Sequence, residues 1–178
     1  MTEAGILLQK QNIPDMTRTL RIILTLCLLA SAGTGAAQSI VRKSFARAAQ
    51  QIALMDSLAP ADRFPASWIS GFFPGNIWYL YEYTGDAKWL EAARRRTAQL
   101  ETLRHYTQTH DMGFMVGCPC SLAYRLTRDD YYKQLMIDSS EALISRFDPT
   151  VGLIRSWNNK DGKANPFRVI IDNMMNLE

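Results

Sequence analysis

Two aspartates stand where a helix should begin. Asp111 follows His110 in "THDMGF", and Asp172 interrupts the apolar run of "VIIDNMMNLE". Two acids brought to one place can divide general acid and general base work, provided that their surroundings treat them differently. Around Asp172, apolar neighbours (Ile170, Ile171, Met174, Met175) and a second acid favour the neutral form. A helix N-terminus favours the anion, so the two influences oppose each other. Each aspartate taken singly is also an ordinary N-cap, which needs no chemistry. What singles the pair out is company: Trp68 and Trp157 fall on flanking loops, and a flat aromatic face beside polar groups is what a sugar ring requires.

The two acids are 61 residues apart in sequence, so the fold must bring them together. The chain reads as all-α. Ser39 to Leu58 carries Ile40, Ala48, Ile52 and Met55 on one helical face. After the break "APADRFPASWISGFFPG", Pro74 suits the first turn of a helix holding Ile77, Trp78, Leu80 and Tyr81. Gly85 ends that helix, and Asp86 caps another that runs to about His105. A helix from about Asp111 to Thr127 and one from Asp129 to about Phe147 follow.

These segments repeat. "YEYTGDAKWLEAA" and "YRLTRDDYYKQLM" align at an offset of 43, pairing Tyr81 with Tyr124, Thr84 with Thr127, Asp86 with Asp129 and Trp89 with Tyr132. Each copy closes one helix, turns, and opens the next. Repeated helical hairpins build toroids or solenoids, in which no single pair buries its own face. In a toroid with alternating inner and outer helices, those beginning near 74, 111 and 172 are consecutive inner ones. Their N-termini then open onto one end of a central funnel, which brings Asp111 and Asp172 together. Nothing alternates strongly enough to demand a sheet. The long connection from Phe147 to Ile170 places Trp157 among Asn, Lys and Asp residues, and connections of this length often carry function.

Composition sets the outer limits. With 178 residues, 47% hydrophobic and 21% charged, the chain is sized for one globular domain. A net charge of +3 gives no case for nucleic acid, and Arg94-Arg95-Arg96 reads as a solvated helix face. Residues 16–37 read as a signal peptide: Arg18 and Arg21 precede an apolar stretch from Ile22 to Leu29, and Gly35-Ala36-Ala37 offers a cleavage site. That stretch is too short to span a bilayer. Residues 1–15 then form an upstream extension, and residues 38–178 the exported domain, periplasmic or secreted. Cys118 and Cys120 lack zinc-spaced partners and read as buried thiols. Gly113, Gly117 and Ser121 form a stripe of small residues suited to close helix packing. Pro119 should remove a helical hydrogen bond and kink the chain near Met115.

"WISGFFPGNIWYLYEYTGDAKWLEAA", "THDMGF", "LIRSW" and "VIIDNMMNLE" occur in that order, and together they resemble the unsaturated glucuronyl hydrolases, glycoside hydrolase family 88. The similarity runs from about residue 60 to the last residue. It implies an (α/α)6 barrel, of which about the N-terminal half is present. It further implies removal of a 4,5-unsaturated uronic acid from the non-reducing end of lyase-generated oligosaccharides, by hydration of the double bond. By the same resemblance Asp172 corresponds to the general acid/base and Asp111 to its partner acid. His110, Trp68 and Trp157 correspond to substrate contacts. No metal or organic cofactor is implied. The proline in "GCPCSLAYRLT" departs from the family pattern. Half a toroid exposes inner-helix faces that should be buried, so the expectation is an N-terminal piece with little or no activity of its own. Two alternatives remain: an unsaturated rhamnogalacturonyl hydrolase with the same chemistry, and a non-catalytic helical-repeat protein that holds sugar.

Overall fold

The computed structural model describes residues 16–59, 66–158 and 167–177, in two compact units, Met1–Ala46 and Arg47–Glu178. One helix, α1 (Met16–Leu58), crosses the boundary between the units. It contains both the expected leader and the expected helix 39–58, while the expected extension, residues 1–15, lies outside the described residues. Among the described residues no helix is long and apolar enough to cross a membrane.

The second unit is built from two helical hairpins. In the first, α2 (Phe72–Thr84) turns into α3 (Ala87–Ala98), which continues as a 3-10 turn, Gln99–Leu103. In the second, a π-helical turn (Gly113–Gly117) leads into α4 (Cys118–Thr127), followed by α5 (Asp130–Ile144). The repeat read from the sequence is exact at the turns. Thr84 Oγ1 donates to Leu80 O at 2.7 Å and accepts from Asp86 N at 3.2 Å, and Asp86 Oδ1 accepts from Lys88 N at 3.0 Å. Thr127 and Asp129 reproduce all three bonds, with Ala123 O, Asp129 N and Tyr131 N as partners, at 2.7, 3.3 and 3.0 Å. The threonine hydroxyl closes the last turn of one helix while the aspartate caps the next.

The core lies between these hairpins. Trp78 is fully buried; its Nε1 donates to Thr97 Oγ1 at 2.9 Å, and its ring meets Tyr132 edge-on at 5.7 Å. Trp89 and Tyr132, equivalent in the repeat, are both buried. Glu82 and Arg125 occupy equivalent positions too, and they join the hairpins by two bonds of 2.7 and 2.8 Å. Cys118 is half-buried and Cys120 buried, both free, and burial pushes the Cys120 thiol up to about 12.

Three local expectations are corrected. Arg94-Arg95-Arg96 is not a wholly solvated face: Arg96 is buried, and with Arg95 it grips Asp56 at 2.6 and 2.5 Å. That grip, more than an apolar stripe, fastens the end of α1, for Ile52 is buried while Met55 is exposed. Pro119 falls in the first turn of α4, where a missing N–H costs little, and the backbone ahead of it departs from the α-helix in the π-helical turn around Met115, where the disturbance was expected. A sheet does exist, though small: β1 (Phe147–Asp148) pairs antiparallel with β2 (Leu153–Ile154). Beyond it, Ile171–Asn176 forms a 3-10 turn where a longer helix was expected.

Two predictions follow from these contacts. Burial alone would raise the pKa of Asp56, but the hydrogen bonds from Arg96 and Arg95 outweigh it and hold the carboxyl below its usual value of 3.8. The stabilisation is therefore complete above that value and is lost as pH falls through the lowered one. Asp56→Asn should cost about 1–3 kcal/mol near neutral pH and flatten the acid limb of a denaturation series. At the turns, Gly85 has φ +66°, and its counterpart Arg128 accepts φ +58°. Gly85→Ala should cost about 1 kcal/mol, while Arg128→Gly should be neutral or stabilising by up to that amount, as read by chemical unfolding.

Candidate active site

Asp111, His110 and Asp172 do converge. The peptide before Asp111 runs antiparallel to the strand leaving β2: Thr109 pairs with Trp157, and His110 N donates to Ser156 O at 3.0 Å. Arg146, buried, fastens the same two segments, with Nε on Arg155 O at 2.9 Å and Nη1 on Thr107 O. Burial, and then the charge of Arg155, lower the pKa of Arg146 below the ordinary arginine value. On the other side Ser156 N donates to Arg168 O at 2.8 Å, and Ser156 Oγ accepts from Ile170 N at 3.0 Å. Those bonds deliver the chain to the turn Ile171–Asn176.

The His110 ring is buried, and both of its nitrogens are engaged. Nδ1 lies 2.8 Å from the carbonyl oxygen of Ser156, which can only accept, so Nδ1 carries a hydrogen and donates it. Nε2 then faces Asp172 Oδ2 at 3.1 Å and Asp111 Oδ1 at 3.4 Å. A bare nitrogen lone pair against two carboxylate anions would bring three acceptors together with no donor. One further proton therefore belongs to this cluster, either on Nε2 or on a carboxyl group that donates to it. Asp111 Oδ2 also accepts from Thr109 Oγ1 at 2.5 Å.

Neither aspartate works as a cap. Asp86 and Asp129 each accept from a backbone N–H two residues on, whereas no side chain of the capping residue closes the turns at Gly113 or Ile171. Capping thus explains the aspartates of the hairpin turns and leaves Asp111 and Asp172 to the cluster. Exposure grades across the three side chains, from 1% at His110 to 12% at Asp111 and 35% at Asp172. Asp172 Oδ1 is buried and has no hydrogen-bond partner among the described residues. One donor atom from each residue lies within 4.8 Å of the others, close enough to hold a metal ion, though direct contacts with Nε2 already occupy one oxygen of each acid.

The tryptophans part company. Trp157 stands edge-on to His110 at 5.4 Å and is 40% exposed, so it forms a partly open wall of the site. Trp68 is exposed and meets Phe72 edge-on at 5.9 Å; Phe72 in turn meets Phe114 at 5.8 Å, so this arm reaches the acids only through two other rings. The residues that sequence reasoning missed are Thr109, Ser156, Asn173 and Asn176. Asn173 Nδ2 donates to Ile154 O at 2.7 Å, and its Oδ1 accepts from Ser156 Oγ at 3.3 Å. The signal was present in "DNMMN", where two amides follow the acid at a three-residue spacing.

No family model matches the chain. Individual proteins do. An unsaturated glucuronyl hydrolase of Formosa agariphila is 46% identical over 127 residues, which are 68% of this chain and 31% of that protein. One from Bacillus sp. (strain GL1) is 32% identical over 117 residues, 62% of this chain and 30% of that protein. The crystal structure of an unsaturated glucuronyl hydrolase specific for heparin aligns with a TM-score of 0.67 at 36% identity, covering 76% of this chain and 39% of that one. The chain spans about a third of the length of the curated relatives it matches. Such neighbours are (α/α)6 barrels, and the hairpins described above are part of one. Over the residues it shares with them, this chain is similar to the unsaturated glucuronyl hydrolases.

Proposed function

We propose that this chain carries the acid/base centre of a hydrolase that removes a 4,5-unsaturated uronic acid from the non-reducing end of an oligosaccharide by hydrating the C4=C5 double bond. The observation that carries this reading is the hydrogen bond between the buried His110 Nε2 and Asp172 Oδ2, with Asp111 Oδ1 3.4 Å from the same nitrogen. Hydration needs a proton donor that then becomes a base. Asp172 is the most exposed of the three residues, and so it is the one that meets substrate. It gives a proton to C4 of the uronate. The positive charge that develops at C5 is shared with the ring oxygen. Water adds at C5 and returns a proton to Asp172, so the acid is restored. The hemiketal formed opens the ring and releases the remaining sugar chain as an alcohol. Asp111, beside His110, keeps the cluster's charge and hydrogen bonds in place, and the partly exposed Trp157 ring takes the flat side of a sugar ring.

This chemistry belongs to a protein of the relatives' length. Two open clefts, of about 440 and 550 Å³, are lined by Leu153, Ile170 and Met174, and by Met112, Met136 and Ile144. Faces of that kind are what further hairpins cover in a toroid. Residues 16–37 serve as an export signal, which places the enzyme in the periplasm or outside the cell. A pure sugar-binding role has no use for a buried imidazole set against two acids, and this favours the hydrolase. Both unsaturated glucuronyl hydrolases and unsaturated chondroitin disaccharide hydrolases stand among the relatives, which favours a substrate of the glucuronyl or chondroitin type over rhamnogalacturonan.

The test places the matched segment of this chain into the Formosa relative and follows the ultraviolet absorbance of a lyase-generated disaccharide. The chimera should bleach the double bond, and Asp172→Asn should lower kcat by about 10²–10⁴-fold. Unchanged turnover in that variant would overturn the assignment of the donor.

A further inference from the structure

Asp111 and Asp172 belong to different elements, and their separation has to be fixed by something that touches both. The first turn of the Asp111 helix has N–H groups without helical partners, since Met115 N, bonded to Asp111 O at 2.9 Å, makes the first such bond. One of these orphan donors, Phe114 N, gives its hydrogen to Asn176 Oδ1 at 2.9 Å. The other end of the same amide, Asn176 Nδ2, donates to Asp172 O at 3.1 Å. A single buried side chain thus bonds the backbone of both acid-bearing segments.

The packing beneath this amide leaves no slack. A Cβ at Gly113 would stand 2.6 Å from Asn176 Cα and 2.6 Å from Asn176 O, nearer than real Cβ contacts come, and the atoms it would strike are backbone. Gly113 therefore permits the 3-10 turn to lie directly on the π-helical turn. A Cβ at Gly117, four residues on, would meet nothing within 4 Å among the described residues. Of the expected stripe of small residues, Gly113 thus has a packing role among the described residues.

We propose that Asn176 is a positioning residue: its amide sets the distance from Asp172 to the His110–Asp111 pair, with Gly113 as the seat that lets it approach. This inference rests on the reading of Asp172 as the proton donor, but the geometry it describes can be measured without turnover. Neither ring bond of His110 passes through Asn176. Loss of the amide should loosen only the Asp172 side, leaving the Nδ1 bond to Ser156 in place.

Nitrogen-15 spectra of the His110 side chain in the full 178-residue chain test this. In the unaltered protein Nδ1 should appear as a protonated, hydrogen-bonded nitrogen, with Nε2 displaced from the position of a free imidazole nitrogen by its shared proton. Asn176→Ala should shift Nε2 and leave Nδ1 in place, whereas Asn176→Asp, which keeps an acceptor for Phe114 N, should shift it less. Gly113→Ala adds a methyl group without removing any hydrogen-bonding group, and alanine favours the helix. It should produce the same Nε2 shift by pushing the turn away. If Asn176→Ala fails to fold, Gly113→Ala decides. An unmoved Nε2 in Gly113→Ala, or in a folded Asn176→Ala, overturns the proposal. A normal Nε2 response alongside a chimera that leaves the double bond intact would instead overturn the hydrolase reading and leave the positioning role standing.

Discussion

The hydrogen bond from His110 Nδ1 to the Ser156 carbonyl is the constraint on which the site depends. A backbone carbonyl cannot change from acceptor to donor, so it removes the choice of tautomer that an imidazole otherwise has. With Nδ1 committed, Nε2 faces both acids, and its hydrogen bond with Asp172 needs a proton on one side or the other. The carbonyl is itself held from several directions. Arg146 secures the neighbouring Arg155 and Thr107 carbonyls, and His110 N donates to the same Ser156 oxygen. Asn173 accepts from the Ser156 hydroxyl. A buried polar cluster tolerates little misplacement, because each unmet group costs about 1–3 kcal/mol. These supporting bonds explain why so much of the connection after β2 is tied back to the segment before Asp111.

The hairpins supply rigidity with few sequence rules. A threonine that closes one helix and an aspartate that caps the next give the same turn at Thr84–Asp86 and Thr127–Asp129. The left-handed residue between them is glycine once and arginine once. Arg128 accepts the unfavourable backbone and lays its guanidinium over Tyr124 at 5.8 Å, a contact that glycine could not make. The helices so formed hold the π-helical turn against the core, with Met115 and Val116 fully buried. Asp111 is thereby anchored at the edge of the most tightly packed part of the unit.

Much of this was legible in the sequence, for identifiable reasons. The hairpin repeat was readable because its turns rest on local hydrogen bonds between residues two to four apart, and these leave a pattern in the residue types. The meeting of Asp111 and Asp172 followed from the order of the hairpins. Arg96 was not legible, since its partner Asp56 lies 40 residues away and nothing local marks an arginine as buried. The packing of His110 was not legible for a related reason. The strand pairing of Thr109 with Trp157 turns the ring inward, and that pairing depends on a loop whose sequence shows no alternation. Pro119 and the six-residue turn at Asp172 show the limit of reading helices by propensity. The backbone answered one with a π-helical turn and used a 3-10 turn for the other.

The unequal settings of the two acids also make physical sense together. Asp111 sits at the start of an element backed by the hydrophobic core, takes a hydrogen bond from Thr109, and is nearly buried. Asp172 sits on a short turn whose apolar residues Ile171, Met174 and Met175 are exposed, and it is pinned mainly through amide side chains. A group that passes a proton to a substrate must be open on one side, and an open acid cannot be held by packing. Directional bonds from Asn173 and Asn176 do for the turn what the core does for Asp111. The cluster thus joins one acid fixed by burial to one fixed by hydrogen bonds, with a buried imidazole between them that takes a tautomer from neither. On the proposed reading this division lets the donor face the sugar while its proton remains governed from within the protein.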